Sequence, residues 1–263
     1  MLDEKAKVIE HADRGEGYRL LALYSPQIAS AAMPGQFVHV KVPALEASAL
    51  RRPFSIFDAD AETGTVRLLY KRVGRGTAAL NAVKPGEELF MEGPLGKGFP
   101  LECTGVPLMA GGGYGVAPLY FLAKKIMALK GGVPPSPELF VGGRTKADIL
   151  ARNDFAALGV PVAVATNDGS DGDKGFVTVP LDRRIAALKA ENEPFTLYAC
   201  GPDGMLKAVA DRALESGTDG WISMDRHMIC GVGACYACIQ KTTSGNARCC
   251  IDGPVFAAKE LVW

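Results

Sequence analysis

Near the carboxyl end, Cys230-Gly-Val-Gly-Ala-Cys235-Tyr-Ala-Cys238 sets three thiols at a Cys-x4-Cys-x2-Cys spacing, and the vicinal pair Cys249-Cys250 follows. This is the spacing with which proteins of plant type ligate a [2Fe–2S] cluster. A loop around an anionic cluster needs backbone N–H groups turned inward, and the glycines beside the first two thiols tolerate the positive φ that this requires. Adjacent side chains leave the backbone in different directions, so only one of Cys249 and Cys250 is expected to reach the same iron, and spacing alone leaves open which. A structural zinc site prefers two close Cys-x-x-Cys knuckles. Here the second half is one distant thiol or a vicinal pair and the loop has no histidine, so a zinc-bearing structural module is the weaker alternative. A disulfide framework suits small secreted domains. Seven cysteines in 263 residues, behind a charged opening Met-Leu-Asp-Glu-Lys-Ala-Lys that does not read as a signal sequence, lead us to expect free thiols in a reducing cytoplasm.

Length allows two domains and a small appendage, and 48% hydrophobic residues suffice for real cores. Lys plus Arg equals Asp plus Glu at 29 each, with no basic cluster, so a nucleic-acid partner is not expected. No apolar run reaches the roughly 18 residues of a membrane span.

The first hundred residues carry short β-rich runs punctuated by turns: Val38–Val42, Thr65–Val73, and Glu87–Glu92 after the Pro85-Gly86 turn. Runs at this spacing predict a small antiparallel barrel. Within it, Arg51-Arg52-Pro53-Phe54-Ser55-Ile56 places a guanidinium near an aromatic and a hydroxyl on one extended segment. Alternation puts Arg52 and Phe54 on one face and Ser55 on the other. An Arg fork suits a pyrophosphate and an aromatic ring suits a flat heterocycle, although a stacked Arg at a strand edge has the same pattern. Gly74-Arg75-Gly76-Thr77-Ala78-Ala79-Leu80 then reads as a glycine turn into a short helix, either an anion site or an ordinary capped helix. Two anion-friendly features in one barrel favour a dinucleotide such as FAD.

From about residue 105 the period changes. Pro107–Ala110, Leu139–Arg144, Val162–Thr166 and Phe195–Cys200 read as strands. Helices are expected over Leu119–Met127, Ala147–Leu158 and Gly204–Glu215. The alternation predicts a doubly wound parallel sheet. The turn Gly111-Gly112-Gly113-Tyr114-Gly115-Val116-Ala117-Pro118 lacks the third glycine of a full dinucleotide fingerprint, so alone it is a weak phosphate-cradle signal. Cys200 alone reads equally as a buried strand-end thiol.

Arg52-Pro53-Phe54-Ser55 resembles the Arg-x-aromatic-Ser motif of the ferredoxin–NADP reductase superfamily, with Phe54 where Tyr is usual. The resemblance implies that Arg52 meets FAD phosphate, that Ser55 lies near the reactive edge of the isoalloxazine, and that Pro53, Phe54, Leu69, Tyr70, Lys71, Gly76 and Thr77 complete the flavin site. Gly93–Phe99 is similar to the segment that closes the superfamily's barrel. Gly111, Gly112, Gly113, Gly115 and Pro118 are similar to its nicotinamide-binding turn, and Cys200, Gly201 and Pro202 to its Cys-Gly-Pro. The tail, with Cys249-Cys250-Ile251-Asp252-Gly253-Pro254-Val255-Phe256 after the cysteine loop, resembles the electron-transfer subunits of class 1B dihydroorotate dehydrogenases. Thr166–Ser170 and Lys174–Thr178 also look like segments of that family. The match covers nearly the whole chain and is most specific in the tail, where the family's last ligand falls on Cys250. The implied metal set is Cys230, Cys235, Cys238 and Cys250.

The expected fold is therefore α/β plus β-barrel: an antiparallel flavin-binding barrel over 1–102, a doubly wound NAD-binding domain over 103–222, and a small iron–sulfur segment over 223–263. The expected cofactors are FAD, NAD(H) and a [2Fe–2S] cluster. Flavin is the carrier that accepts electrons in pairs and releases them singly, so it belongs between nicotinamide and cluster. No residue reads as a general base for substrate oxidation, which the resemblance assigns to a partner: an FMN-containing catalytic subunit that oxidises dihydroorotate to orotate, in a hetero-oligomer with two of each chain. The reductase subunit of a glutamate synthase-like or sulfide dehydrogenase-like complex is the alternative, although such tails depart from this cysteine spacing. Arg144 sits where an adenosine phosphate often docks and could favour NADPH, whereas the resemblance implies NADH. His11, His39 and His227 read as surface or packing residues, with His227 close enough to Cys230 to tune a cluster. The apolar Val255-Phe256 and Leu261-Val262-Trp263 are expected to help form a partner surface.

Overall fold

The computed structural model describes residues 2–42, 51–129 and 135–263. Strands β1 (Leu2–Asp13), β2 (Tyr18–Tyr24), β3 (Phe37–Lys41), β4 (Arg52–Asp60), β5 (Thr65–Lys71) and β6 (Glu88–Leu95) close into a barrel of order β1-β2-β5-β4-β3-β6. Every neighbouring pair is antiparallel. Period-2 alternation builds it. Val38 and Val40, Phe54 and Ile56, Val66 and Leu68, and Leu89 and Met91 all turn into one buried cluster. Helix α1 (Pro26–Ala31) packs Ile28 and Ala29 into the same cluster, and α2 (Arg75–Leu80) adds Leu80.

The second sheet contains β7 (Val106–Gly112), β8 (Glu138–Gly143), β9 (Val162–Thr166), β10 (Asp173–Lys174), β11 (Phe195–Cys200) and β12 (Gly220–Ser223). These run parallel in the order β10-β9-β8-β7-β11-β12. Helices α3 (Val116–Met127), α4 (Arg152–Ala157), α5 (Thr178–Glu191) and α6 (Asp203–Ser216) make the crossovers. The strand order reverses direction between β7 and β11, so the crevice of a doubly wound sheet opens above their carboxyl ends. Two expectations need correction. The helix expected over Ala147–Leu158 is a 3₁₀ turn at Lys146–Asp148 followed by α4, because Ala151 adopts φ 56° and breaks the run. The parallel sheet also has more strands than expected, since the short β10 and β12 carry too little pattern to announce themselves.

The tail is not an appendage. A hairpin of β13 (Ile239–Thr242) and β14 (Gly245–Arg248) follows the cysteine loop, and β15 (Val255–Ala257) joins the large sheet antiparallel to β12. Val255 and Phe256, expected at a partner surface, are 6% and 5% exposed because β15 carries them into the core. Leu261 is buried too, and only Val262 and Trp263 of that apolar end stay exposed. Arg226 fastens the hairpin, donating to Asp203 on α6 and to Oε1 of the buried Gln240 at 3.0 Å.

The barrel meets the sheet domain through a β-bulge. Register slips between Ile56 and Asp58 on β4, so Phe57 and Asp58 both turn outward towards α3. Phe57 stacks on Tyr120 with centroids 4.4 Å apart. The Asp58 carboxylate accepts from Lys124 Nζ and Arg67 Nη1, each at 2.8 Å.

Candidate functional site

Arg52 opens β4 on the face that alternation predicts, with Val40 opposite it and Phe54 opposite Val38. Its side chain lies along the start of α2: a Cβ on Gly76 would fall 2.7 Å from Arg52 Nε. The two anion-friendly features of the barrel thus form one place. Thr77 caps its own turn, its hydroxyl oxygen accepting from the amides of Val73 at 2.9 Å and Gly74 at 3.1 Å. Pro53 and Ser55 are half-buried on the outer face of β4. Phe54 is turned inward and tilts against Tyr70 at 5.6 Å. Burial pushes the Tyr70 phenol up to about 12, and its oxygen stands 2.8 Å from His11 Nε2. Leu69 is buried on the opposite face of β5, in the cluster that runs into the sheet domain. Lys71 donates to the Tyr18 hydroxyl at 3.1 Å and lies 3.7 Å from Asp148 of the sheet domain. Burial works against the Asp148 charge, yet Arg144 and Lys71 hold its carboxyl below the usual range.

The glycine turn and the Cys-Gly-Pro loop meet at the strand-order reversal. Cys200 is the direct register partner of Gly111. Side chains are excluded where they touch: a Cβ on Gly112 would stand 2.7 Å from Pro202 Cδ, and one on Gly115 would strike the Cys200 carbonyl. Pro118 is buried in the first turn of α3. Gly201, at φ 158°, packs against Met205 and Gly112. Cys200 is 6% exposed, and burial, helped by nearby Asp225, pushes its thiol up to about 12. It is therefore a neutral thiol at the floor of the crevice. Gly113, at the mouth, faces the Tyr18 hydroxyl of the barrel.

In the cysteine loop Gly231, Gly233 and Tyr236 adopt φ of 71°, 78° and 57°. Burial disfavours a thiolate at Cys230, but the backbone amides of Val232, Cys235 and Ala234 turned onto its sulfur outweigh that and bring it down to about 7. The Cys235 amide lies 3.4 Å from Cys230 Sγ, and the Cys250 amide 3.5 Å from Cys238 Sγ. The thiols stand as two pairs, Cys230 beside Cys235 and Cys238 beside Cys250. The pairs are within electrostatic reach of each other, since Cys250 also feels Cys230, and inward backbone amides beside thiolates suit an anionic cluster. Cys249 is wholly buried in the core, its amide bonded to the Cys238 carbonyl at 2.9 Å, and burial pushes its thiol up to about 12. Arg248 braces the loop, donating to the Gly233 carbonyl and lying 5.5 Å from the Tyr236 ring centre.

Three groups escaped the sequence reading. Tyr18 faces the glycine turn and donates to Asp148 in the segment after β8, and no local pattern marks either. His39 lies against the cysteine loop. It is 1% exposed, and a Cβ on Gly231 would come within 2.7 Å of His39 Cε1 and 2.8 Å of Nδ1. A single polar residue between Val38 and Val40 was the available signal.

Known families match each of the three regions. The iron–sulfur cluster binding domain family of dihydroorotate dehydrogenase B matches residues 225–262. An oxidoreductase NAD-binding domain family matches residues 109–211, and an oxidoreductase FAD-binding domain family residues 6–99. Among relatives, the electron transfer subunit of dihydroorotate dehydrogenase B (NAD(+)) of Desulforamulus reducens is 38% identical, over 91% of this chain and 90% of its own. That of Bacillus caldolyticus is 42% identical, over 87% and 86%. Among solved structures, an NADH-dependent reduced ferredoxin–NADP oxidoreductase described for flavin-based electron bifurcation superposes with a TM-score of 0.85. It is 30% identical and covers 98% of this chain and 90% of that one. A ferredoxin NADP+ reductase from Neisseria gonorrhoeae, 16% identical with a TM-score of 0.67 over 86% and 95% of the two chains, shares the fold.

Proposed function

The chain belongs to the electron transfer subunits of dihydroorotate dehydrogenase B, and on that premise we propose how its residues divide the work. It is an oxidoreductase subunit with FAD-, NAD- and iron–sulfur-binding domains. We divide it at 1–102, 103–222 and 223–263, with the last segment sharing its sheet with the second.

Arg52 and the Gly76-Thr77 turn hold the FAD pyrophosphate, a guanidinium fork beside a helix start. Pro53, Phe54 and Ser55, with Leu69, Tyr70 and Lys71, shape the flavin pocket. NAD(H) enters the crevice between Gly111–Gly115 and Cys200–Pro202, where the absent side chains let a ligand approach the backbone. Pro118 fixes the helix entry. The neutral Cys200 thiol offers the nicotinamide contact without charge. Cys230, Cys235, Cys238 and Cys250 hold the [2Fe–2S] cluster, and the amides on Cys230 offset its negative charge. FAD held there would supply the conversion between the paired electrons of a nicotinamide and the single electrons of an iron–sulfur cluster.

One observation carries the reading. The barrel faces the glycine turn through the Tyr18 hydroxyl, which accepts from Lys71, and touches the cysteine loop through His39, so we read the flavin pocket as lying between the other two. We further propose a partner, an FMN-containing catalytic subunit that oxidises dihydroorotate to orotate, assembled as two of each chain, with net electron flow to NAD⁺. Ile229, Val232, Tyr236 and Ile251 leave apolar surface exposed around Cys235 where such a partner would dock. No described helix is long and apolar enough to cross a membrane, and we place the assembly in the cytoplasm.

Analysis of the native complex tests this. We expect FAD, iron and acid-labile sulfide in the cluster's ratio, with a companion FMN protein active on dihydroorotate. Zinc without flavin would overturn the reading, and a companion of other activity would overturn the partner.

A further inference from the structure

The outer face of β3 joins two sites that otherwise share no strand. His39 sits directly opposite Pro53, and its neighbour Phe37 sits opposite Ser55, so Ser55 is its diagonal neighbour on one face of the sheet. On its other side the ring meets Gly231, the residue after Cys230. The ring atoms nearest a Cβ built there are Cε1, Nδ1 and Nε2, so the polar edge of the imidazole faces the loop. That close approach is what a side chain at 231 would destroy.

The ring is also incompletely satisfied. Among the described residues His39 Nε2 is buried and finds no hydrogen-bond partner. Such a buried polar atom is expensive unless something supplies the missing partner. Burial, with Arg51 nearby, lowers the imidazole to about 4, so the ring is neutral and carries one N–H. A neutral donor beside an anionic cluster stabilises the more negative, reduced form.

We propose that His39 is a positioning residue of the flavin–cluster junction, its ring N–H held as a hydrogen-bond donor to the cluster that Cys230 anchors. This rests on the cluster assignment above. His39 keeps the loop at its distance from the flavin pocket and raises the cluster potential, so that single electrons cross between them. It takes no part in the reaction of nicotinamide with flavin.

The test compares the unmodified complex with His39→Gln, which keeps a donor, and His39→Phe, which keeps only bulk. The readouts are an EPR-monitored redox titration of the cluster and the rate of flavin reduction by NADH. In His39→Phe the cluster potential should fall, with the flavin–cluster electron equilibrium shifting on the order of fivefold towards the flavin, the worth of one buried hydrogen bond. His39→Gln should restore most of that shift, and flavin reduction by NADH should match the unmodified protein in both. If His39→Phe does not fold, His39→Asn replaces it as a shortened donor, with an intermediate shift expected. An unmoved cluster potential in a folded variant, or a shift in the flavin potential instead, overturns the proposal. Absence of a [2Fe–2S] signal from the unmodified chain would overturn the cluster assignment and this inference with it.

Discussion

Gly76 has no room for a side chain on the face it turns to Arg52. A Cβ there would lie 2.7 Å from Nε and 3.3 Å from Cδ, so the guanidinium must swing out while the backbone stays as it is. Gly76→Ala should therefore weaken FAD binding by about tenfold, the scale of one charge-assisted hydrogen bond, with the unfolding midpoint nearly unchanged. Release of flavin fluorescence on dilution measures it. The two vicinal thiols separate at the same scale. Both lie in the buried core and both feel Cys238, but only Cys250 hydrogen-bonds to its sulfur, the Cys250 amide lying 3.5 Å from Cys238 Sγ. Cys249→Ala should keep its iron and sulfide and lose about 1 kcal/mol of stability from the vacated volume. Cys250→Ser should lose the visible cluster bands, and the reverse outcome would reassign the fourth ligand.

Among elements, the contact of β4 with α3 sets how the flavin pocket faces the nicotinamide crevice. The bulge at Phe57 makes it, by turning two consecutive residues to one side. Asp58 then receives Lys124 and Arg67, whose side chains remain 34% and 39% exposed. Water shares those cations, so removing the carboxylate costs less than breaking a fully buried pair. Asp58→Asn should lower stability by about 1–3 kcal/mol in denaturant unfolding and slow flavin reduction by NADH. No loss in either would show that the domains are held elsewhere. The alternating strands of the barrel were legible because one face must be apolar. So were the longer βα units, whose period changes from two to nearly four. What escaped was short or non-local. β12 and β15 are too brief to show a period, and their pairing joins residues far apart in sequence. Ala151 breaks a run whose composition favours helix. The candidate site residues were readable as motifs, but the approach of Arg52 to Gly76, of Gly111 to Cys200 and of His39 to Gly231 exists only once the chain has folded.

Across the whole molecule, three cradles are held in sequence by a single body of structure. The tail pairs with the sheet through β15, bridges to the barrel where the Lys97 amide donates to the Gly253 carbonyl, and clamps α6 through Arg226. The cysteine loop is thereby fixed against β3 instead of swinging on a linker, and its exposed rim carries the apolar residues that a partner could cover. On the proposed reading the cluster is the connection to the partner, and the nicotinamide crevice works independently of it, so NADH driven in the reverse direction reduces flavin whether or not the cluster is present. The most direct measurement is single-turnover mixing of NADH with the complex carrying Cys238→Ser, following flavin absorbance and electron arrival at the catalytic subunit together. The account predicts flavin reduction at the unmodified rate with delivery to the partner abolished, and undiminished delivery in that variant would contradict it.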